Sequence, residues 1–269
     1  MRRKGGDEDD DQHEDVSHMI AEKGVALVTG AARRIGRAIA ERLAEEGYDL
    51  ALHASSRSRD EAEALATALR ARGRRALVVI ADLADTSDTS TLIERASALG
   101  PLRLLVNNAS SFEDDRATAF DAATWERHFA VNLRAPAQLA AAFVAALPDG
   151  LDGAIVNIVD QRVWRLNPAF FSYTLTKSAL WTATQTMAQA FAPRVRVNAV
   201  GPGPTLPNYT QDRAAFDREA RAVPLERGAE PAEIAEAVAY LARARAVTGQ
   251  MIAVDGGQHL AWKTPDFEG

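Results

Sequence analysis

Seven short apolar runs alternate with amphipathic segments along this 269-residue chain, and that alternation leaves few folds open. Val25–Thr29, Asp49–His53, Ala76–Ile80, Leu102–Val106, Ala154–Ile158, Arg194–Ala199 and Gln250–Val254 read as strands. The segments between them read as helices: Arg37–Glu46 with Ile39, Leu43 and Ala44 on its inner stripe, Arg59–Arg72 closed by Gly73, and Asp88–Leu99. Further on come a long alanine-rich helix over Ala122–Leu147, bent near Pro136, then Ser172–Ala190 and a helix opened by Glu230-Pro231. A stretch from Gly201 to Arg227 shows no clear element. Apolar strands separated by helices belong to a parallel sheet covered on both faces. With right-handed crossovers this is an α/β fold: a single doubly wound Rossmann domain over residues 23–269, its seven-stranded parallel sheet flanked by helices.

Residues 1–22 differ in kind. They hold few apolar side chains and set three basic residues against eight acidic ones, which predicts a disordered acidic tail. The tail carries most of the net charge of −6, so the body is nearly neutral and offers nucleic acid no basic face. No run approaches the roughly 18 apolar residues of a membrane span, and no start resembles a secretory signal. The chain has no cysteine, hence no disulfide or thiolate chemistry, and its five histidines are scattered without a His-x-x-x-His pair, so no metal site is expected. These features suit a cytoplasmic protein acting on a small molecule.

Two stretches carry chemistry. The first, Thr29-Gly30-Ala31-Ala32-Arg33-Arg34-Ile35-Gly36, lies where the first strand turns into the first helix. There Gly30 permits a tight turn, Gly36 permits close packing, and helix amides suit a pyrophosphate. An NAD site places an acid after the second strand, but here His53 is followed by Ala54-Ser55-Ser56-Arg57-Ser58. Arg34, Arg57 and Ser58 suit a 2′-phosphate instead, which favours NADPH. The second stretch runs from Asp160 to Tyr173 and Lys177. On a helix, Tyr173 and Lys177 share a face one turn apart, and an adjacent ammonium is expected to lower the phenol from about 10 toward a working proton donor.

These motifs together resemble the short-chain dehydrogenase/reductase family, through Thr29-Gly30…Gly36, Asp82-Leu83, Asn107-Asn108-Ala109, Asn132, Tyr173-(three)-Lys177 and Pro202-Gly203, over about residues 24–260. The resemblance implies that Asp82 contacts adenine, Asn107 steadies the central strands and cofactor, and Asn132 holds a water in a proton relay. It also implies that Lys177 binds the nicotinamide ribose while activating Tyr173. Gly30, Arg33, Arg34, Ile35, Gly36, His53, Arg57, Ser58, Asp82, Leu83, Asn108, Ala109, Lys177, Pro202 and Gly203 then form the cofactor set. A homotetramer is implied as well, in keeping with the alanine-rich helices around Ala137–Leu147 and Leu175–Ala190.

Two departures narrow the reading. Arg34 stands where most members have glycine, and Asp160 stands where most have serine, 13 residues before the tyrosine. With Ser110 and Phe112 in Asn108-Ala109-Ser110-Ser111-Phe112, they resemble the pteridine reductase branch and the bacterial dihydromonapterin reductases, which end similarly to Asp255-Gly256-Gly257-Gln258-His259-Leu260. That resemblance places a pterin on Phe112 with Ser110 at its edge, Arg34 facing phosphate and substrate, and Asp160 as proton donor to the ring nitrogen. Burial against an aromatic would raise a carboxyl pKa and a nearby cation would oppose this. Two alternatives stay open: a carbonyl or keto reductase using Tyr173 alone, and a cofactor-sensing binding protein on the same fold.

Overall fold

The computed structural model describes residues 23–208 and 211–262. The predicted acidic tail lies outside them. Seven parallel strands run in the order β3-β2-β1-β4-β5-β6-β7. They are β1 (Val25–Val28), β2 (Asp49–Ala54), β3 (Ala76–Ile80), β4 (Leu102–Asn107), β5 (Gly153–Ile158), β6 (Val195–Pro202) and β7 (Met251–Val254). The helices α1 (Arg34–Glu45), α2 (Arg59–Ala71) and α3 (Thr86–Ser97) follow the first three strands. Then come α4 (Ala122–Phe129), α5 (Ala135–Ala146), α6 (Phe171–Phe191), α7 (Arg213–Arg221) and α8 (Pro231–Arg243).

The period-two alternation of each strand divides the core into two layers. Ala26, Val28, Val156 and Ile158 pack with Ile39, Leu43, Leu65, Leu69, Val238 and Leu241, so α1, α2 and α8 cover one face. Val25, Leu27 and Ile155 pack with Leu92, Ile93, Leu139, Phe143 and Ala188, so α3, α5 and α6 cover the other. β1 pairs with β2 on one side and β4 on the other. The chain therefore winds outward in two directions from β1, opening a crevice beyond the carboxyl ends of the strands.

Two expectations are refined. The long alanine-rich helix is present over Ala122–Ala146, with a π-helical turn over Ala130–Arg134 joining α4 to α5. Pro136 explains the turn, since it has no N–H to give the carbonyl of Asn132 four residues earlier and its ring crowds that carbonyl. By length and mean hydropathy Ala122–Ala146 is apolar enough to cross a membrane, contrary to the sequence reading, but Val131, Ala135, Leu139 and Phe143 on it are buried in the sheet-facing core. Within 201–227, α7 forms because Asp212 caps it, accepting from the Ala215 N–H, and because Phe216 and Ala220 turn inward.

A polar ladder pins the centre. Asn107 on β4 donates through Nδ2 to Asn157 Oδ1 on β5 at 2.8 Å, and Asn157 Nδ2 donates to Thr184 Oγ1 on α6 at 2.9 Å. All three are buried, so the ladder locks the site-bearing helix to the two central strands. Asn157→Ala leaves the Asn107 amide without its acceptor and takes one bond from Thr184, which keeps only its bond to the Leu180 carbonyl, and is expected to cost about 2–4 kcal/mol. Thermal unfolding should show a midpoint lowered by roughly 5–15 °C; an unchanged midpoint would contradict this role.

Candidate active site

At the carboxyl end of β1 the glycine turn is braced from three sides. Thr29 Oγ1 donates to the Val106 carbonyl and accepts from the Asn108 and Ala109 N–H groups at 2.9 and 3.0 Å. Asn108 Nδ2 donates to the carbonyls of Thr29 and Gly30. His53, at the end of β2, takes the Gly30 N–H on Nδ1 at 3.1 Å and contacts the Ala81 carbonyl through Nε2 at 3.2 Å. Those partners assign the proton to Nε2 and leave the ring neutral, and burial lowers its pKa to about 4. His53 thus holds the turn through Nδ1 and ties it through Nε2 to the residue after β3, and Asn108 Nδ2 holds the turn as well.

The cradle fits a dinucleotide phosphate. Gly30 adopts φ +63°, and a Cβ on Gly36 would lie 2.1 Å from the Gly30 carbonyl oxygen, so backbone closes where a side chain cannot go. No side chain caps the N-terminus of α1 and no acid stands in its first turn, which leaves that end to an anion. Arg33, Arg34 and Arg57 are exposed around it, and Ser58 is buried on the 3₁₀ turn Ser56–Ser58. Ile35 packs on the core beneath, and Leu83 is buried beside exposed Asp82 past β3. Pro202 ends β6, with the Gly203 N–H donating to the Val254 carbonyl. These predicted positions all gather at the carboxyl edge of the sheet.

Arg34 has a left-handed backbone, φ +54°, which explains why glycine suits that position. Its guanidinium donates to the carbonyls of Pro207 (3.0 Å) and Leu206 (3.3 Å), tying the turn to the segment after β6.

Asp160, Tyr173 and Lys177 meet between β5 and α6. Tyr173 Oη donates to Asp160 Oδ2 at 2.9 Å. Asp160 also accepts from the Arg162 backbone N–H at 2.8 Å and pairs with Arg162 Nη1 at 3.1 Å. Lys177 Nζ donates to the Ile158 carbonyl at 2.8 Å and lies 5.6 Å from the centre of the Tyr173 ring. Burial lowers Lys177 from 10.5 to about 8, against the opposing pull of Asp160.

Tyr173 goes the other way from expectation. Burial, and then the charge of Asp160, raise the phenol well above 10 and outweigh Arg162. Lys177 sits over the ring rather than on the hydroxyl, so in this arrangement the proton stays on Tyr173 and points at the carboxylate.

Asn132 does not reach toward Tyr173 through its amide. Its Oδ1 accepts from the Ser111 N–H and Ser110 Oγ, and its Nδ2 donates to the Ser111 carbonyl and Thr176 Oγ1. Its side chain therefore braces the Ser110–Ser111 turn, while Pro136 removes the helical donor from its carbonyl. Phe112 stands beyond that turn, edge-on to Tyr173 with centroids 4.6 Å apart.

Three features were not assigned from sequence. Arg162 had a legible signal, a cation two residues from a buried acid. Phe170 stacks on Phe112 at 4.3 Å, a contact that depends on an unforeseeable left-handed backbone. Asp115 caps α6, accepting from the Ser172 N–H and, at 2.5 Å, its hydroxyl, while the other side of Ser172 Oγ meets His128 Nδ1 at 2.6 Å. Nothing in the spacing of 57 residues announces that contact.

Known proteins match this arrangement over nearly the whole chain. A family model described as Enoyl-(Acyl carrier protein) reductase matches residues 30–259. The 3-oxoacyl-[acyl-carrier-protein] reductase FabG of Staphylococcus epidermidis is 34% identical over 241 residues, spanning 87% of this chain and 98% of that one. The crystal structure of FolM Alternative dihydrofolate reductase 1 from Brucella canis, complexed with NADP, is 54% identical with a TM-score of 0.88, covering 92% of this chain and 98% of that one. A short chain dehydrogenase from Burkholderia cenocepacia, also in complex with NADP, is 31% identical with a TM-score of 0.83, covering 89% and 99%. With the fold, the glycine turn and the Tyr173–Lys177 pair in place, the chain belongs to the short-chain dehydrogenase/reductase family.

Proposed function

We propose that this protein is an NADPH-dependent reductase of dihydropterins, reducing a C=N bond of the ring. The observation that carries the reading is the Tyr173–Asp160 hydrogen bond beside Phe112, which joins a proton source to an aromatic platform. The likeness to the dihydrofolate reductase from Brucella supports it. The NADP-bound relatives, the uncapped α1 terminus and the arginines around it support NADPH, which when bound supplies the hydride to the C=N carbon.

The chain's own groups handle the proton. As hydride reaches carbon, the C=N electron pair moves to nitrogen, which becomes strongly basic and takes a proton. Asp160 and Tyr173 act as one donor: the carboxylate orients the phenol, and the proton crosses from Tyr173 through or alongside Asp160 to the ring nitrogen. The phenolate left beside a carboxylate is compensated by the cations of Arg162 and Lys177, then reprotonated from solvent. A high phenol pKa suits this task, because the acceptor is more basic still and the proton is not lost beforehand. Phe112 supplies a ring face and Ser110 the neighbouring edge. Lys177 and the Pro202–Gly203 turn serve the cofactor side.

A second reading, reduction of a keto group, is favoured by the keto-reductase relative and the family model. Asp160 and Arg162 weigh against it, since a ketone needs neither a carboxylate nor its counter-ion. We also propose a cytoplasmic homotetramer, supported by the alanine-rich α5 and the exposed Leu175 on α6.

NADPH oxidation followed side by side with dihydrobiopterin, dihydromonapterin, dihydrofolate and simple ketones tests the assignment. At least one dihydropterin should exceed every ketone in kcat/KM by about 10²-fold or more; the reverse order would establish the keto reading. Lys177 carries its charge below about pH 8 and loses it above, so the same assay predicts a kcat/KM that falls on a basic limb near pH 8. A profile flat to pH 10 would contradict the role of its ammonium.

A further inference from the structure

Phe170 holds a conformation that demands an explanation. It precedes α6 with φ +56° and ψ +52°, a left-handed backbone that is rare for a bulky residue. Its ring lies flat on Phe112, centroids 4.3 Å apart and planes 11° from parallel. The same Phe112 meets Tyr173 edge-on. The guanidinium of Arg162 stands 5.6 Å from the Phe112 centroid and 5.1 Å from that of Phe170, while its Nη1 pairs with Asp160. The Phe170 ring is thus stacked on the platform, next to both members of the proton-donating pair.

That is the position a flat substrate ring needs. Arg162 adds a directional preference, because its Nε is buried without a hydrogen-bond partner among the described residues. A phenyl ring offers that donor nothing in its plane, whereas the edge of a heteroaromatic ring with carbonyl or imine acceptors satisfies it. The segment that must move is suited to moving: Trp164, Arg165, Leu166, Asn167 and Pro168 are all exposed. Behind it, α6 is anchored independently through Asp115 on Ser172 and the Phe171 N–H on the Asp115 carbonyl. The Phe170 ring can therefore leave without unseating Tyr173, while the Phe170 carbonyl keeps its bond from the Thr174 N–H.

We infer that Phe170 gates the substrate slot: its ring occupies the face of Phe112, and a substrate binds there only by displacing it, which a planar heteroaromatic that stacks on Phe112 and engages Arg162 does best. Every ligand meets the same displacement cost, and small ketones, which gain little stacking, have little binding energy to set against it. This rests on the proposed dihydropterin activity, of which it names the element that the substrate displaces.

The test is calorimetric titration of dihydrobiopterin into the full-length protein loaded with NADP⁺, where no turnover occurs. Phe170→Gly suits the left-handed backbone and removes the ring, so affinity should tighten about three- to tenfold. Phe170→Tyr keeps the stack and should bind like the wild type. In steady state, Phe170→Gly should also raise kcat/KM for dihydropterins and ketones by a similar factor, since both must displace the same ring. Affinity that is unchanged or weaker in Phe170→Gly, with the melting temperature retained, would overturn the inference by showing Phe170 to be idle or a second wall of the slot. Failure of the wild type to bind or reduce any dihydropterin would instead overturn the proposed function itself.

Discussion

The hydrogen bond from Tyr173 to Asp160 is the contact around which the rest of the molecule is arranged, since it joins two groups that burial would otherwise keep apart. Asp160 leaves the end of β5 and Tyr173 starts α6, so the bond exists only while strand and helix keep their spacing. Three independent ties hold that spacing. Asn107, Asn157 and Thr184 run from β4 through β5 to α6; Lys177 reaches back to the Ile158 carbonyl; Asp115 grips the first turn of α6. Each uses a buried polar group, a costly material that is justified when its partners are all in place.

Charge follows the same logic. The carboxylate of Asp160 is buried but flanked by Arg162, which turns an expensive isolated ion into a hydrogen-bonded pair. Tyr173 keeps its proton because water is excluded and a negative neighbour resists a second negative charge. Lys177 pays for the same dryness with a lowered pKa. A serine at position 160 would present a neutral hydroxyl instead, and Arg162 would lose the carboxylate it pairs with.

Most of the architecture was legible before any coordinates. Short apolar runs marked all seven strands, six within one residue at each end and β6 three residues short of Pro202, and Gly30, Gly36, Tyr173 and Lys177 marked the two ends of the crevice, because local backbone geometry dictates those residue types. What the chain order could not show is where polar side chains would be consumed. The side chains of His53 and Asn108 brace the glycine turn, and that of Asn132 braces Ser110–Ser111, through partners more than twenty residues away in the chain. The sign of the Tyr173 shift was also misread, because spacing shows that Lys177 is near but not that its ammonium sits over the ring while a carboxylate faces the hydroxyl. Long-range partners such as Asp115 with Ser172 leave no periodic trace.

Replacing Asp160 by serine tests the central claim most directly, with NADPH affinity and thermal unfolding measured alongside to confirm an intact fold. If the Asp160–Tyr173 pair delivers the proton to a ring nitrogen, dihydropterin kcat/KM falls by about 10²-fold or more while NADPH still binds. Dihydropterin reduction within about threefold of the wild type, a change too small for a lost proton donor, would contradict it.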